Sequence, residues 1–249
     1  MRTILTNRPG IVSLPISYIK RHVTTHRREI RSGRRITGTR CVQRDQFLIE
    51  RCTHRSVLHV GCTCSPNLLR NLHQGTLLHP RLERVAKQCV GIDINAADIK
   101  AMQALGHDVR EMDATDLSKL RGSDFDVVVL ADIIEHVTHP GAVIQEAMNV
   151  AAPAGEIIVT VPNAFGLIRF MKLLFRHEQV HPDHVAYYSS GTLTALAERY
   201  ALRVTENVWY RQENRDNRVS TLFATTVERF AVSIMPWVGE GCIAVMKKR

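Results

Sequence analysis

From residue 56 to residue 162 the chain alternates between two textures. Short apolar runs rich in β-branched residues read "SVLHV" (56–60), "CVGIDI" (89–94), "DVREM" (108–112), "FDVVVLAD" (125–132) and "EIIVTVP" (156–162). Between them lie stretches with helical spacing: "HPRLERVAKQ" (79–88), "AADIKAMQAL" (96–105) and "PGAVIQEAMNVAA" (140–152). In the last of these Val143, Ala147 and Val150 fall on one helical face, and Pro140 suits a first turn, where its missing N–H is no loss. A run such as "VVVL", apolar on both faces, fits a central strand covered by helices on both sides. Strands and helices alternating at this length predict right-handed βαβ crossovers and a mostly parallel sheet.

After Pro162 the pattern predicts a helix over 165–175, a polar loop, a helix over 190–201, a strand over 203–210, a helix near 220–235 and a last strand over 241–248. Only a helix's length separates the last two strands, which suits an antiparallel pair at the sheet edge. The expected class is α/β: a Rossmann-like three-layer sandwich with a mostly parallel seven-stranded sheet and an antiparallel terminal strand. Residues 1–45 carry Pro9, Pro15 and basic clusters such as "RREIRSGRR", with one short helical pattern in which Ile16, Ile19 and Val23 share a face. They read as a basic N-terminal extension, and residues 46–249 as the domain.

Charge sharpens this division. Residues 1–55 hold 13 of the 33 Lys/Arg against Glu29, Asp45 and Glu50, while the remainder holds 20 against 21 acids. The net charge of +9 therefore sits in the leader, which could touch an anionic surface or nucleic acid, or simply be solvated. Six cysteines are scattered, and the CxC of Cys62 and Cys64 has no second pair to complete a zinc site. No metal is expected. No apolar run reaches the roughly 18 residues of a membrane span, and the start lacks a secretory signal, so the reading is a soluble, cytoplasmic protein.

In open parallel sheets ligands bind beyond the carboxyl ends of the strands. Gly61 follows the first strand here, Asp93 ends the second, Asp113 follows the third and Asp132 the fourth. An acid at the end of the second strand is placed to accept hydrogen bonds from ribose hydroxyls. The other aspartates have the alternative of capping a helix or shaping a turn.

Taken in order, "VLHVGC", "VGIDIN", "VREMDATDL", "FDVVVLADIIEHVTHPGAVIQEA", "AGEIIVTVPN" and "HPDHVAYYSSGTLTALAERY" resemble the class I S-adenosylmethionine-dependent methyltransferases. The likeness is to the small-molecule branch with ubiquinone-biosynthesis-type and sugar-cluster enzymes, and covers roughly residues 56–200. It implies S-adenosylmethionine as cofactor and a cofactor-binding set of His59, Gly61, Cys62, Asp93, Ile94, Asp113, Ala114, Asp132 and Ile133. Asp93 would hold the ribose, Ile94 would pack on the adenine, and Asp113 with Ala114 would flank its amino edge. Asp132 and Ile133 would approach cofactor and substrate.

The departures are in the first loop. His59 stands where the family usually has an acid, Thr63 and Ser65 stand where it has glycines, and Asp93 follows His59 by 34 positions rather than about twenty. A sulfonium cofactor carries no phosphate and needs no dense glycine cradle, so "GCTCSP" reads as a variant working loop. For a hydroxyl acceptor a histidine would serve as general base. His136 is the catalytic candidate, with His139, His181 and His184 as alternatives and Tyr187 and Tyr188 as pocket walls.

The expected function is methylation of a small molecule, with a sugar or glycan precursor preferred. Two rivals are a catalytically silent Rossmann module, motivated by the altered loop, and an RNA methyltransferase using the basic leader. The leader's few aromatics, Tyr18 and Phe47, and the lack of an N/D-P-P-Y site disfavour the latter.

Overall fold

The computed structural model describes residues 40–211 and 219–249, together with Ile36. The chain divides into two units, Met1–Ile36 and Thr37–Arg249. The short helical pattern of Ile16, Ile19 and Val23 lies outside the described residues.

The apolar runs become strands: β1 (Cys41–Gln43), β2 (Ser56–Val60), β3 (Gln88–Asp93), β4 (Val109–Glu111), β5 (Phe125–Ala131), β6 (Ala151–Pro162), β7 (Leu202–Arg211) and β8 (Gly241–Lys248). The helices are α1 (Arg44–Cys52), α2 (Leu68–His73), α3 (Leu78–Glu83), α4 (Ala96–Ala104), α5 (Pro140–Val150), α6 (Leu167–Leu174), α7 (Ser190–Arg199) and α8 (Val219–Ile234). One sheet runs in the order β1-β7-β8-β6-β5-β2-β3-β4. All its neighbours are parallel except β8, which is antiparallel to both β6 and β7.

The sheet thus has eight strands among the described residues, one more than expected. The addition is β1, which pairs parallel with β7 and moves the antiparallel pair one place in from the edge. Residues 41–45, read from sequence as the end of the extension, form this strand and open α1. The helix expected over 79–88 is shorter because β3 begins at Gln88; the extra length before it holds two short helices, α2 and α3. Among the described residues no helix is long and apolar enough to cross a membrane.

Strand alternation sorts the side chains into two layers. Leu58 and Val60 of β2, Val90 and Ile92 of β3, and Val128 and Leu130 of β5 pack with Val143, Ile144 and Ala147 of α5 and Leu193 of α7. Val57, Cys89, Val127 and Val129 point the other way, onto Phe47 and Leu48 of α1 and Leu78 and Leu82 of α3. Burial of each such Leu or Phe contributes about 1.5–3 kcal/mol, so α1 is a working part of the core. The chain enters the sheet centre at β2, runs outward through β3 and β4, then returns to β5 on the other side. The switch point therefore falls between β2 and β5, where a crevice is expected at the carboxyl ends.

Candidate active site

A cavity of about 480 Å³ opens there, within the range of small-molecule sites. Val60 and Gly61 line it from β2, Asp93 and Ile94 from β3, Met112 to Thr115 from beyond β4, and Ile133 with His136 to His139 from beyond β5. Gly61 has φ +76°, and a Cβ on it would lie 2.1 Å from Ile133 Cδ1. Positive φ and this close approach both require glycine. The Gly61 and Cys62 N–H groups donate to the Ile92 carbonyl at 2.9 and 3.1 Å, which ties the loop to the end of β3.

Asp93 is held from two sides. The Thr63 hydroxyl (2.8 Å) and N–H (3.2 Å) donate to its Oδ2, and the Asn95 N–H donates to Oδ1 at 3.0 Å. Asn95 also caps α4 through its side chain. Oδ2 is thereby filled by Thr63, while Oδ1, with one donor, keeps an acceptor position. Beside it Ile94 lies 73% exposed, an apolar side chain offered to the cavity. Asp113 Oδ1 accepts from both the N–H and the hydroxyl of Thr115, each at 2.8 Å, and Ala114 backs the wall.

Of the residues read from sequence, the fold brings Gly61, Asp93, Ile94, Asp113, Ala114, Ile133 and His136 to this crevice. It does not bring the side chains of His59, Cys62 and Asp132 there. His59 shares the parity of Val57, not of Val60, so its imidazole is buried against His79 of α3, ring centroids 5.5 Å apart. Burial first, then His79, hold it neutral by pushing its pKa well down. Cys62 packs among Leu68, Leu77, Ile99 and Met102, where burial raises its thiol pKa. Asp132, at φ +54°, turns its carboxylate away from the crevice. It meets the Arg44 guanidinium, the Thr160 hydroxyl (2.8 Å) and the Tyr210 hydroxyl (3.0 Å).

On the crevice rim, His136 meets the loop that precedes α7. The Val185 and Ala186 N–H groups donate to the Glu135 carbonyl at 2.9 and 3.3 Å, which docks that loop on the turn after β5. His184 is thereby set 4.5 Å from His136, centroid to centroid, and His181 5.7 Å from His136. Burial, then His136 and His181, lower the His184 pKa. Beneath them the Glu135 side chain is fully buried, and neither carboxylate oxygen has a partner among the described residues. Burial first and Asp132 second push its pKa up to about 8.

Sequence reasoning missed three features. Arg44 was assigned to the extension, and its charge gave no sign that it reaches Asp132. Thr63 was read as a missing glycine, whereas it holds Asp93. The histidines were weighed singly as bases, and no metal was expected, yet the fold gathers three of them. The i, i+3 spacing of "HPDH" hints that two imidazoles share a turn, but His136 lies 45 residues earlier.

A family model described as a methyltransferase domain matches residues 38–207. Solved structures agree in fold. A S-adenosylmethionine-dependent methyltransferase from Archaeoglobus fulgidus is 17% identical with TM-score 0.52, over 82% of this chain and 94% of that one. One from Thermotoga maritima is 13% identical with TM-score 0.55, over 94% and 99%. The magnesium protoporphyrin IX methyltransferase of Synechocystis, solved with SAH bound, is 14% identical with TM-score 0.50, over 96% and 90%. No curated protein sequence matches the chain. With the matched domain covering β1 to β6 and the crevice at their carboxyl ends, the chain belongs to the class I S-adenosylmethionine-dependent methyltransferases.

Proposed function

We propose that this methyltransferase modifies a small molecule, a sugar or other glycan precursor, at the outer end of the crevice. The observation that carries this reading is the polar rim. Thr138, His136 and His139 line the same cavity as Asp93 and Ile94, and His184 stands against His136. Hydrogen-bonding side chains on the rim suit an acceptor rich in hydroxyls.

The residues present fit the cofactor. Gly61 leaves room that any Cβ would fill, Asp93 Oδ1 retains an acceptor position for a ribose hydroxyl, and exposed Ile94 offers an apolar surface for a flat ring. Asp113 and Ala114 stand where the edge of that ring would fall. When bound, the cofactor supplies a methyl group already activated by its sulfonium. The protein's own work is therefore alignment and exclusion of water, with Met112, Ile133 and Val137 as the apolar lining. His136 is placed to take the acceptor's proton as general base.

Isothermal titration with S-adenosylmethionine, followed by a mass-resolved search for a methylated product among nucleotide sugars and glycan fragments, tests this. We expect saturable binding and gain of one methyl by a sugar. Asp93→Ala should weaken cofactor binding by about 10- to 150-fold, the loss of one charge-assisted hydrogen bond of about 1.5–3 kcal/mol. Absence of saturable heat with the folded wild type would favour a silent module. Methylation of RNA but of no sugar would overturn the acceptor class.

A further inference from the structure

We infer that His136, His181 and His184 form a site for one divalent transition-metal cation on the crevice rim, whose open coordination positions take an oxygen of the acceptor. Each residue offers a ring nitrogen, and these nitrogens lie within 4.8 Å of one another. The rings are grouped tightly, with 5.2 Å between the centroids of His181 and His184. Tetrahedral zinc with bonds of 2.0–2.1 Å holds its ligands roughly 3.3 Å apart, so modest ring rotations close the cluster.

The arrangement is built rather than a chance meeting of surface side chains. The loop carrying His181 and His184 is pinned by the bonds to the Glu135 carbonyl, by its own turn (His184 N–H to His181 carbonyl, 3.0 Å) and by the Ala164 N–H donating to the Tyr188 carbonyl at 2.8 Å. The Nδ1 atom of His184 is buried with no hydrogen-bond partner among the described residues. A buried ring nitrogen with nothing to bind is rare in folded proteins, and a coordinated ion satisfies it. The Asp183 N–H donates to His181 Nδ1 at 3.3 Å, which orients that ring within the turn.

Three neutral imidazoles select zinc, cobalt(II), nickel or iron(II) over magnesium or calcium, which prefer oxygen ligands. Three protein ligands leave at least one position open, as in catalytic rather than structural sites. Because His136 also lines the cofactor crevice, an acceptor hydroxyl on the ion would stand beside the cofactor. Coordination lowers the pKa of that hydroxyl, and its proton can pass to water. With the ion bound, His136 is a ligand and the ion replaces the general base. This consequence rests on the proposed function; the cation site itself does not.

The test uses the full chain without a polyhistidine tag, stripped with a chelator and titrated with cobalt(II) under reducing conditions. We expect one ion per chain, visible d–d absorption, and none of the strong near-ultraviolet band that thiolate ligation would give. His181→Ala and His184→Ala should each weaken binding at least tenfold. His181 is exposed, so its replacement does not threaten folding, and circular dichroism is to be recorded on both variants as the check. Lack of saturable cobalt binding by the wild type, or wild-type affinity in both variants, would overturn the site. Titration of the same samples with S-adenosylmethionine separates the two readings. A chain that binds cobalt through these histidines but no cofactor keeps the cation site and loses the methyltransferase assignment.

Discussion

Gly61→Ala puts the crevice's tightest contact to the test. The added methyl meets two separate obstacles. At φ +76° an L-residue costs about 1–2 kcal/mol. The Cβ would also stand 2.1 Å from Ile133 Cδ1 and 2.8 Å from Cγ1, contacts that exist only if the isoleucine moves. Displacing a side chain from its rotamer costs about 0.5–1.5 kcal/mol. The sum, about 1.5–3.5 kcal/mol, corresponds to a fall in melting temperature of about 4–10 °C for a unit of this size. Scanning calorimetry measures it, and titration with S-adenosylmethionine should show a loss of affinity, since both residues line the crevice. Ile133→Ala in the Gly61→Ala background removes the clash but not the backbone cost. The double-mutant cycle should therefore return a coupling of about 0.5–1.5 kcal/mol. A Gly61→Ala protein with wild-type stability and affinity, or a coupling of zero, would refute the argument.

Glu135 gives a pH prediction. Its folded pKa, about 8, lies above its ordinary 4.5, so the folded chain holds a proton that the unfolded chain releases. Stability from this group is complete below about pH 4.5 and is lost as pH rises through 8. Melting curves from pH 5 to 8.5 should show wild type losing on the order of 3–5 kcal/mol that Glu135→Gln does not lose; parallel curves would refute it. Arg44→Met should cost about 2–4 kcal/mol in urea melts, because it leaves the largely buried Asp132 carboxylate without its cation. Asp132→Asn in that background should recover half or more, and no recovery would mean that Arg44 acts through packing alone.

The alternation of strands and helices was legible because each buried parallel strand must be apolar on both faces, as "VVVL" is. The placement of Asp93 and Asp113 at the crevice was legible because both lie at or just past strand ends on one rim. What the pattern did not settle was the side to which a residue points. His59 was grouped with the crevice because it stands where the resembled family has an acid, and Asp132 because it ends a strand. Parity sends the first to α3, and a positive φ turns the second toward Arg44. Arg44 itself belongs to a stretch whose charge matches the leader and whose packing does not.

The same distinction explains the altered loop. A glycine at position 63 would keep the N–H that reaches Asp93 Oδ2 at 3.2 Å but lose the hydroxyl that reaches it at 2.8 Å. With Asn95 holding Oδ1, the carboxylate is fixed at both oxygens, by Thr63 from the loop after β2 and by Asn95 from the turn after β3. An acid preorganised in this way spends less ordering on ligand binding. Thr63→Gly should therefore weaken S-adenosylmethionine binding by several-fold and lower the melting temperature by a few degrees, since a buried hydrogen bond is lost, and Thr63→Ser should restore both. If glycine bound the cofactor as well as threonine does, Asp93 would owe its placement to the strand alone, and the loop's departure from the family pattern would have no part in the site.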